Sequence, residues 1–261
     1  MEYIDQIGHK VELFSTPTKI VSVVPSQTEL LCDLGLDVEV VGITKFCIHP
    51  QKWYKNKNRV GGTKTLNFEK IKELQPDLII ANKEENTKEE IEELQKLYPV
   101  WTSDISNLKD SIAMINTIGE ITNRKEQSNM ITSKIIDDFN RLDNLKIKNK
   151  STLYFIWQEP YMSIGNKTFI SDIMRRSGFA NILDINGSYP ELSEDEIKRL
   201  NPDYIFLSSE PYPFKTKHIN KFQNFCPNSK VVLVDGEMFS WYGSRLTKTV
   251  NYIVDLHNKI S

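Results

Sequence analysis

The segment from Asn123 to Lys148 reads NRKEQSNMITSKIIDDFNRLDNLKIK, and it divides a chain of 261 residues into two parts of similar design. Its apolar residues recur at steps of three and four, which is the spacing of one apolar stripe along an α-helix. They are Met130, Ile131, Ile135, Ile136, Phe139, Leu142 and Leu145. Neither glycine nor proline interrupts the run from Arg124 to Ser151. A helix of about 25 residues would reach roughly 37 Å, enough to connect two domains and pack along both.

Strands and helices alternate on both sides of this segment, which predicts an α/β fold with parallel sheets. The predicted strands, rich in Val, Ile and aromatic residues, are 10–14, 19–24, 38–43, 77–81, 100–101, 152–157, 204–207 and 230–234. The helix after the second strand is expected to start with a capping box, in which Ser26 is the N-cap and Glu29 follows three residues later. The last helix is predicted to begin at Ser244.

A local repeat supports two similar domains. Residues 69–80 (EKIKELQPDLII) align without gaps with residues 195–206 (DEIKRLNPDYIF). In both, an acidic residue opens a short helix, a Pro-Asp pair ends it and a buried strand follows. A helix within a single domain would also fit the 123–148 pattern, but the repeat favours two lobes. We therefore predict two Rossmann-like lobes, 1–122 and 149–261, joined by a single long α-helix over 123–148.

Composition excludes several classes of protein. Apolar residues make up 39% of the chain and charged residues 26%, as in ordinary globular proteins. The net charge of −2 with dispersed Lys and Arg indicates no nucleic-acid partner. Three widely spaced cysteines predict no disulfide framework. The first ten residues lack the apolar run of a signal peptide, so the chain as written is expected in the cytoplasm, or in the periplasm or lipid-anchored if a leader was removed. A monomer is expected.

Ligands of open parallel sheets bind at the carboxyl ends of the strands, so we expect a site in a cleft between the two lobes. Polar and aromatic residues cluster in the loops that follow the predicted strands. The candidate ligand-binding residues are Ser26, Gln27, Phe46, His49, Thr63, Lys64, Glu85, Asn86, Trp157, Glu159, Tyr161, Tyr189, Glu210, Tyr212, Trp241, Tyr242 and Arg245. Aromatic rings, amides and charges together suit a sizeable, flat, amide-decorated or chelate-like small molecule.

Two other interpretations of these loops remain open. Cys47 and His49 are usable metal ligands, but the sequence lacks a second pair at the spacing of a closed zinc site. His49 could instead serve as an axial ligand to a metal already held in a chelate. The alternative from another class is a cytosolic enzyme in which Glu159, Glu210 and Glu237 act as acid and base. We expect no catalytic cofactor, although a bound cobalamin or iron chelate would fit.

The segment 19–30 (KIVSVVPSQTEL) and the two Pro-Asp corners resemble the substrate-binding proteins of cobalamin and iron–siderophore ABC importers, the class III proteins with a helical backbone. The similarity covers nearly the whole chain and is greatest to members that bind cobalamin. The resemblance implies non-catalytic binding of a metal chelate between two lobes, with a corrinoid as first guess and a siderophore or haem next.

The resemblance also implies roles for single residues. Glu69 and Asp195 would dock onto arginines of a membrane permease. Phe46 and Tyr189 match positions where cobalamin binders place aromatic rings. Thr63 falls where such binders can carry a tryptophan, so one wall of that pocket differs here.

Overall fold

A computed structural model describes residues 1–144, 149–183, 185 and 187–260. The chain folds into two compact units. The first unit comprises residues 1–105, 109–134 and 242–245, and the second comprises residues 106–108, 135–241 and 246–261. The predicted α/β class is confirmed, since each unit contains helices and a sheet whose central strands run parallel.

The chain up to residue 144 contains nine strands and six helices among the described residues. The strands are β1 (Glu2–Ile4), β2 (Lys10–Glu12), β3 (Ile20–Ser22), β4 (Val40–Ile43), β5 (Asn58–Arg59), β6 (Gly61–Gly62), β7 (Thr65–Leu66), β8 (Leu78–Asn82) and β9 (Val100–Ser103). The helices are α1 (Pro25–Asp33), α2 (Gln51–Asn56), α3 (Phe68–Leu74), α4 (Lys88–Gln95), α5 (Leu108–Ile121) and α6 (Lys125–Asn144).

The sheet of the first unit has the order β5-β4-β3-β8-β9 and is parallel throughout. All residues of β3 and β8 are buried, as expected for central strands covered on both faces. Two antiparallel hairpins, β1–β2 and β6–β7, accompany this sheet.

The rest of the described chain contains six strands and five helices. The strands are β10 (Lys150–Trp157), β11 (Tyr161–Ser163), β12 (Phe179–Asn181), β13 (Glu191–Leu192), β14 (Tyr204–Ser208) and β15 (Lys230–Val234). The helices are α7 (Phe169–Arg176), α8 (Glu194–Leu200), α9 (Thr216–Phe225), α10 (Glu237–Ser240) and α11 (Leu246–Ile260).

The sheet of the second unit is mixed. Strands β10, β14 and β15 run parallel, and β12 pairs in parallel with the start of β10. Strand β11 pairs antiparallel with the end of β10 and then with β13. One core cluster of the second unit is built around Phe155, Ile205, Leu207 and Phe222.

Helix α6 is shorter than predicted at its start. Asn123 has a φ of 54°, a left-handed conformation that separates α5 from α6. A β-carbon at Gly119 would lie 2.2 Å from the Ser128 Oγ, so glycine permits these two helices to pack closely at this turn. Residues 125–134 of α6 belong to the first unit and residues 135–144 to the second. The predicted continuation over 145–148 lies outside the described residues.

The two Pro-Asp corners fold alike, as the sequence repeat predicts. Gln75 and Asn201 each end their helix in the left-handed conformation, with φ of 48° and 41°. In the first unit, Asp77 then accepts hydrogen bonds from the Thr18 amide, the Thr18 hydroxyl and the Lys19 amide, at 2.8 to 2.9 Å.

In the second unit, Asp203 accepts hydrogen bonds from the amide and hydroxyl of Ser151, both at 2.9 Å. These contacts hold the pKa of Asp203 below its ordinary value, because they stabilise the carboxylate. In both units the corner aspartate therefore fastens the start of the unit's central strand.

Some boundaries differ from the sequence predictions for local reasons. The predicted capping box at Ser26 is wrong, since α1 begins at Pro25 with Val24 as N-cap and no side-chain cap. Proline is well suited to the first helical position, because it has no N–H to satisfy. The last helix begins at Leu246 rather than Ser244. No helix of the described residues is long and apolar enough to cross a membrane.

Candidate functional site

The carboxyl ends of β4, β3 and β8 lie side by side in the first unit, and many sequence-predicted site residues follow them. Ser26 and Gln27 lie in the first turn of α1, directly after β3. Phe46 and His49 follow β4, and Glu85 and Asn86 follow β8. Thr63 and Lys64 form the turn between β6 and β7. The first unit thus gathers these residues in loops and in the first turn of α1, at one edge of its sheet.

The buried amides at this edge hydrogen-bond within the first unit. Gln27 donates to the Ser103 hydroxyl, and Asn82 donates to the same oxygen at 2.9 Å. The Asn86 side chain donates to the carbonyl of Thr63 at 2.9 Å and to that of Val23 at 3.2 Å. Because the NH₂ groups of these amides donate to neighbouring segments, the amides hold the loops in place. Direct contact with a ligand stays a prediction for Gln27 and Asn86.

Phe46 is the exposed aromatic ring of this edge, with 52% of its surface accessible. The Lys45 ammonium lies 5.1 Å from the ring centroid, within the range of a cation–π contact. A β-carbon at Gly62 would lie 3.2 Å from the Phe46 Cε2, so the ring rests closely against the β6–β7 hairpin. Lys64 is exposed, while His49 and Thr63 are half-buried.

Cys47 is buried beneath the loops at this edge and is not exposed on their surface. Its Sγ lies 3.1 Å from the Thr28 hydroxyl and 3.2 Å from that of Thr44, and the residue is fully buried. Burial raises the pKa of the Cys47 thiol, because a thiolate would be poorly solvated there. Among residues 1–144 and the other described ranges, no three His, Cys, Asp or Glu side chains are grouped to hold a metal ion.

The segment 242–245 is packed into the first unit. The Arg245 guanidinium forms a two-pronged ion pair with Glu29, at 2.7 and 2.9 Å, and both side chains are 8% exposed. The Tyr242 hydroxyl donates to Glu85 at 3.1 Å, and burial followed by the Glu85 charge raises the pKa of Tyr242. A β-carbon at Gly243 would lie 2.7 Å from the Ser26 carbonyl oxygen, so only glycine permits this approach.

In the second unit, Trp157 is the last residue of β10, and Tyr212 lies in the loop after β14. Their rings meet edge to face with centroids 5.5 Å apart. Trp157 is 40% exposed, and its indole N–H donates to the Glu159 carbonyl at 3.0 Å. Tyr189 is also 40% exposed, and the Glu159 side chain is exposed. The second unit therefore presents aromatic rings at its strand ends.

Glu210 is the buried acid of this unit. Its Oε1 accepts hydrogen bonds from the Ser240 hydroxyl at 2.8 Å and the Trp241 indole at 2.9 Å. Burial raises the pKa of Glu210, and the nearby charge of Glu237 adds to the effect. Trp241 is only 6% exposed, so its ring belongs to the interior. Tyr161 donates to Glu194 at 3.1 Å.

The two residues that the resemblance assigned to permease docking occupy matching places. Glu69 lies in the first turn of α3 and Asp195 in the first turn of α8, and both are exposed. Asp195 also lies 3.3 Å from Lys198.

Sequence reasoning missed three residues that the structure brings into these networks. Glu29 pairs with Arg245 across 216 residues of sequence. Gln158 accepts from the Tyr212 hydroxyl at 2.6 Å, and His218 lies beside that hydroxyl. A histidine near the start of α9 and a glutamine next to Trp157 were visible in the sequence, but their meeting depends on the tertiary fold.

Comparison with known proteins identifies a family for this chain. A family model described as "Periplasmic binding protein" matches residues 20–225. A vitamin B12-binding protein of Pectobacterium carotovorum subsp. carotovorum (strain PC1) is 24% identical over 239 residues, which cover 89% of this chain and 86% of that protein.

Solved structures share the fold. The periplasmic vitamin B12 binding protein of Vibrio cholerae has a TM-score of 0.79 at 20% identity, covering 94% of this chain and 98% of that one. A periplasmic heme-binding protein from Roseiflexus sp. RS-1 has a TM-score of 0.76 at 16% identity, covering 91% and 98%.

Proposed function

Because the chain belongs to the periplasmic binding protein family, we propose that it binds a metal chelate without altering it chemically. A corrinoid is the first candidate, and a siderophore or haem comes next. The observation that carries this proposal is the pair of exposed rings, Phe46 and Trp157, at the strand ends of their units. Exposed aromatic rings gain most from a large, flat, apolar partner, and a macrocyclic or planar chelate offers one.

The order of candidates rests on relatives and on charge. The relative of 24% identity is named a vitamin B12-binding protein, which favours a corrinoid. Lys45 lies over the Phe46 ring, and Lys64 is exposed on the β6–β7 hairpin against which that ring rests. Both ammonium groups would also accommodate the acidic groups of haem or of an anionic siderophore complex. Thr63, in the β6–β7 turn, is smaller than the tryptophan that related binders can carry at this position.

We further propose that the loaded protein delivers its ligand to an ABC permease through Glu69 and Asp195. Two exposed carboxylates in the first turns of matching helices support this role, because each can meet a guanidinium without the cost of burying an unpaired charge. A role in import would place the working protein, as a monomer, outside the cytoplasmic membrane.

Titration tests the binding function. We expect cyanocobalamin or haemin to quench tryptophan fluorescence saturably and to be recovered unchanged, as judged by mass spectrometry. Phe46→Ala and Trp157→Ala should each weaken binding by about tenfold, because each removes a large exposed contact. Chemical conversion of the ligand would contradict a binding protein, and unchanged affinity in both variants would show that the ligand lies elsewhere.

Charge reversal tests docking separately. Glu69→Lys combined with Asp195→Lys should abolish uptake of the ligand by cells while leaving its affinity for the purified protein unchanged. Glu73→Lys combined with Asp255→Lys is the matched control, since it makes the same charge change on exposed helix positions. Normal ligand uptake by cells that carry Glu69→Lys with Asp195→Lys would refute the docking role. The binding function would be unaffected by that result.

A further inference from the structure

A short chain of hydrogen bonds lies behind the exposed Trp157–Tyr212 pair. The Lys215 backbone N–H donates to the His218 Nδ1 at 2.7 Å. Nδ1 must therefore accept, so a neutral imidazole carries its proton on Nε2. Burial, with Lys217 next in effect, lowers the pKa of His218 and so favours the neutral ring. The direction of this first bond fixes the direction of the next one.

The His218 Nε2 lies 3.5 Å from the Tyr212 hydroxyl oxygen, and that hydroxyl lies 2.6 Å from the Gln158 Oε1. The His218 Nε2–H faces the Tyr212 hydroxyl oxygen, which therefore accepts from it. The Tyr212 hydroxyl then donates its own proton to the Gln158 side chain. Its acceptor must be the carbonyl oxygen of the Gln158 amide, because an amide nitrogen cannot accept. The order of donors thus determines which way the Gln158 amide faces.

The NH₂ group of Gln158 is consequently turned away from Tyr212. Within the described ranges, the structure shows no acceptor for this group. Gln158 is half-buried and immediately follows Trp157, which is exposed at the end of β10. An oriented donor therefore lies next to an exposed aromatic ring.

We propose that Gln158 is a ligand-binding residue that donates a hydrogen bond, and that His218 positions it through Tyr212. This inference rests on the proposed function, because it assumes that Trp157 faces the ligand. It assigns a class of partner group: a carbonyl or carboxylate oxygen at the edge of a flat apolar ligand. Amide-bearing corrinoids and carboxylate-bearing haem both carry such a group.

Substitutions at Gln158 test the donor directly. Purified variants are titrated with cyanocobalamin, haemin and a ferric hydroxamate siderophore. For a probe that the unmodified protein binds, Gln158→Ala should weaken affinity about tenfold. Gln158→Glu should weaken it further, because a carboxylate would face the oxygen of the ligand. The control Asn220→Ala, on the exposed surface of α9, should leave affinity unchanged.

Tyr212→Phe and His218→Phe test positioning. Each should weaken binding in the presence of Gln158 and have no further effect when combined with Gln158→Ala, because all three act through one amide. A residue with a merely structural role would weaken binding equally in both backgrounds. Circular dichroism verifies that each variant folds.

The outcomes separate the two proposals. In one outcome, the unmodified protein binds a probe that the Gln158 variants bind with the same affinity, or that Gln158→Glu binds more tightly. Either result would refute the donor role of Gln158 and leave the proposed function intact. No binding of any probe would refute both. The ¹⁵N chemical shifts of His218 in ligand-free protein should show the Nε2–H tautomer, and an Nδ1–H tautomer would overturn the positioning chain by itself.

Discussion

Each unit contains a buried glutamate, and the two glutamates have different kinds of hydrogen-bond partner. In the first, Glu29 is held by the charged fork of Arg245 at 2.7 and 2.9 Å. In the second, Glu210 receives neutral donors only, from Ser240 and Trp241, among the contacts of the described residues, and burial raises its pKa. A buried carboxylate must be paired with a cation or move toward its neutral form. The two units therefore stabilise their buried acids by different contacts, an ion pair in the first and neutral hydrogen-bond donors in the second.

The largest expected effect comes from removing the cation. Arg245→Met removes the guanidinium that pairs with the buried Glu29 carboxylate, so we expect a loss of about 3–5 kcal/mol in the free energy of unfolding. Chemical denaturation measures it. The double variant Arg245→Met with Glu29→Leu should recover much of the loss, because no buried charge then remains. If the double variant is no more stable than the single one, the ion pair is not the reason for the destabilisation.

The Pro-Asp corners extend the comparison to a feature that both units share. Asp77→Ala loses three hydrogen bonds and Asp203→Ala loses two, from groups at the start of a central strand. We expect each variant to lose about 1–2 kcal/mol, with the larger loss at Asp77. Glu73→Ala is the control on an exposed helix position. Equal stability of both corner variants and the control would refute the fastening role.

The smallest expected effect is the contribution of Glu210 to the pH dependence of folding stability. The pKa of Glu210 is raised in the folded state. Its contribution to stability is therefore fully present when the pH is below the pKa of the same group in the unfolded chain. That contribution is lost as the pH rises through the pKa of the folded state. The variant Glu210→Gln removes the titrating group, and its amide keeps an oxygen that can accept from Ser240 and Trp241.

We therefore expect the melting temperature of Glu210→Gln to rise relative to that of the unmodified protein as the pH increases above about 4, the ordinary pKa of a glutamic acid side chain. Asp255→Asn, at an exposed site on α11, controls for general charge effects. A melting temperature difference that does not change with pH would show that the pKa of Glu210 is the same in the folded and unfolded states.

Much of the fold could be read from local patterns, and the errors have local causes too. The Pro-Asp corners and the buried strands β8 and β14 follow from consecutive residues. The capping box at Ser26 failed because Pro25 starts the helix earlier and because Glu29 pairs with Arg245 instead. Sequence spacing shows that Glu29 could cap a helix, but it cannot show a competing partner 216 residues away.

The sequence by itself determined the alternation of strands and helices, the repeated corner and the family resemblance, since each depends on residues close together in the chain. Only the tertiary structure decided which polar residues are occupied internally, such as Asn86 and Arg245, and which rings stay exposed, such as Phe46 and Trp157. The physical reason is that burial and hydrogen bonding are set by neighbours in space. Gln158, directly after β10, and His218, in α9, are distant in sequence and meet through the Tyr212 hydroxyl only when the second unit folds.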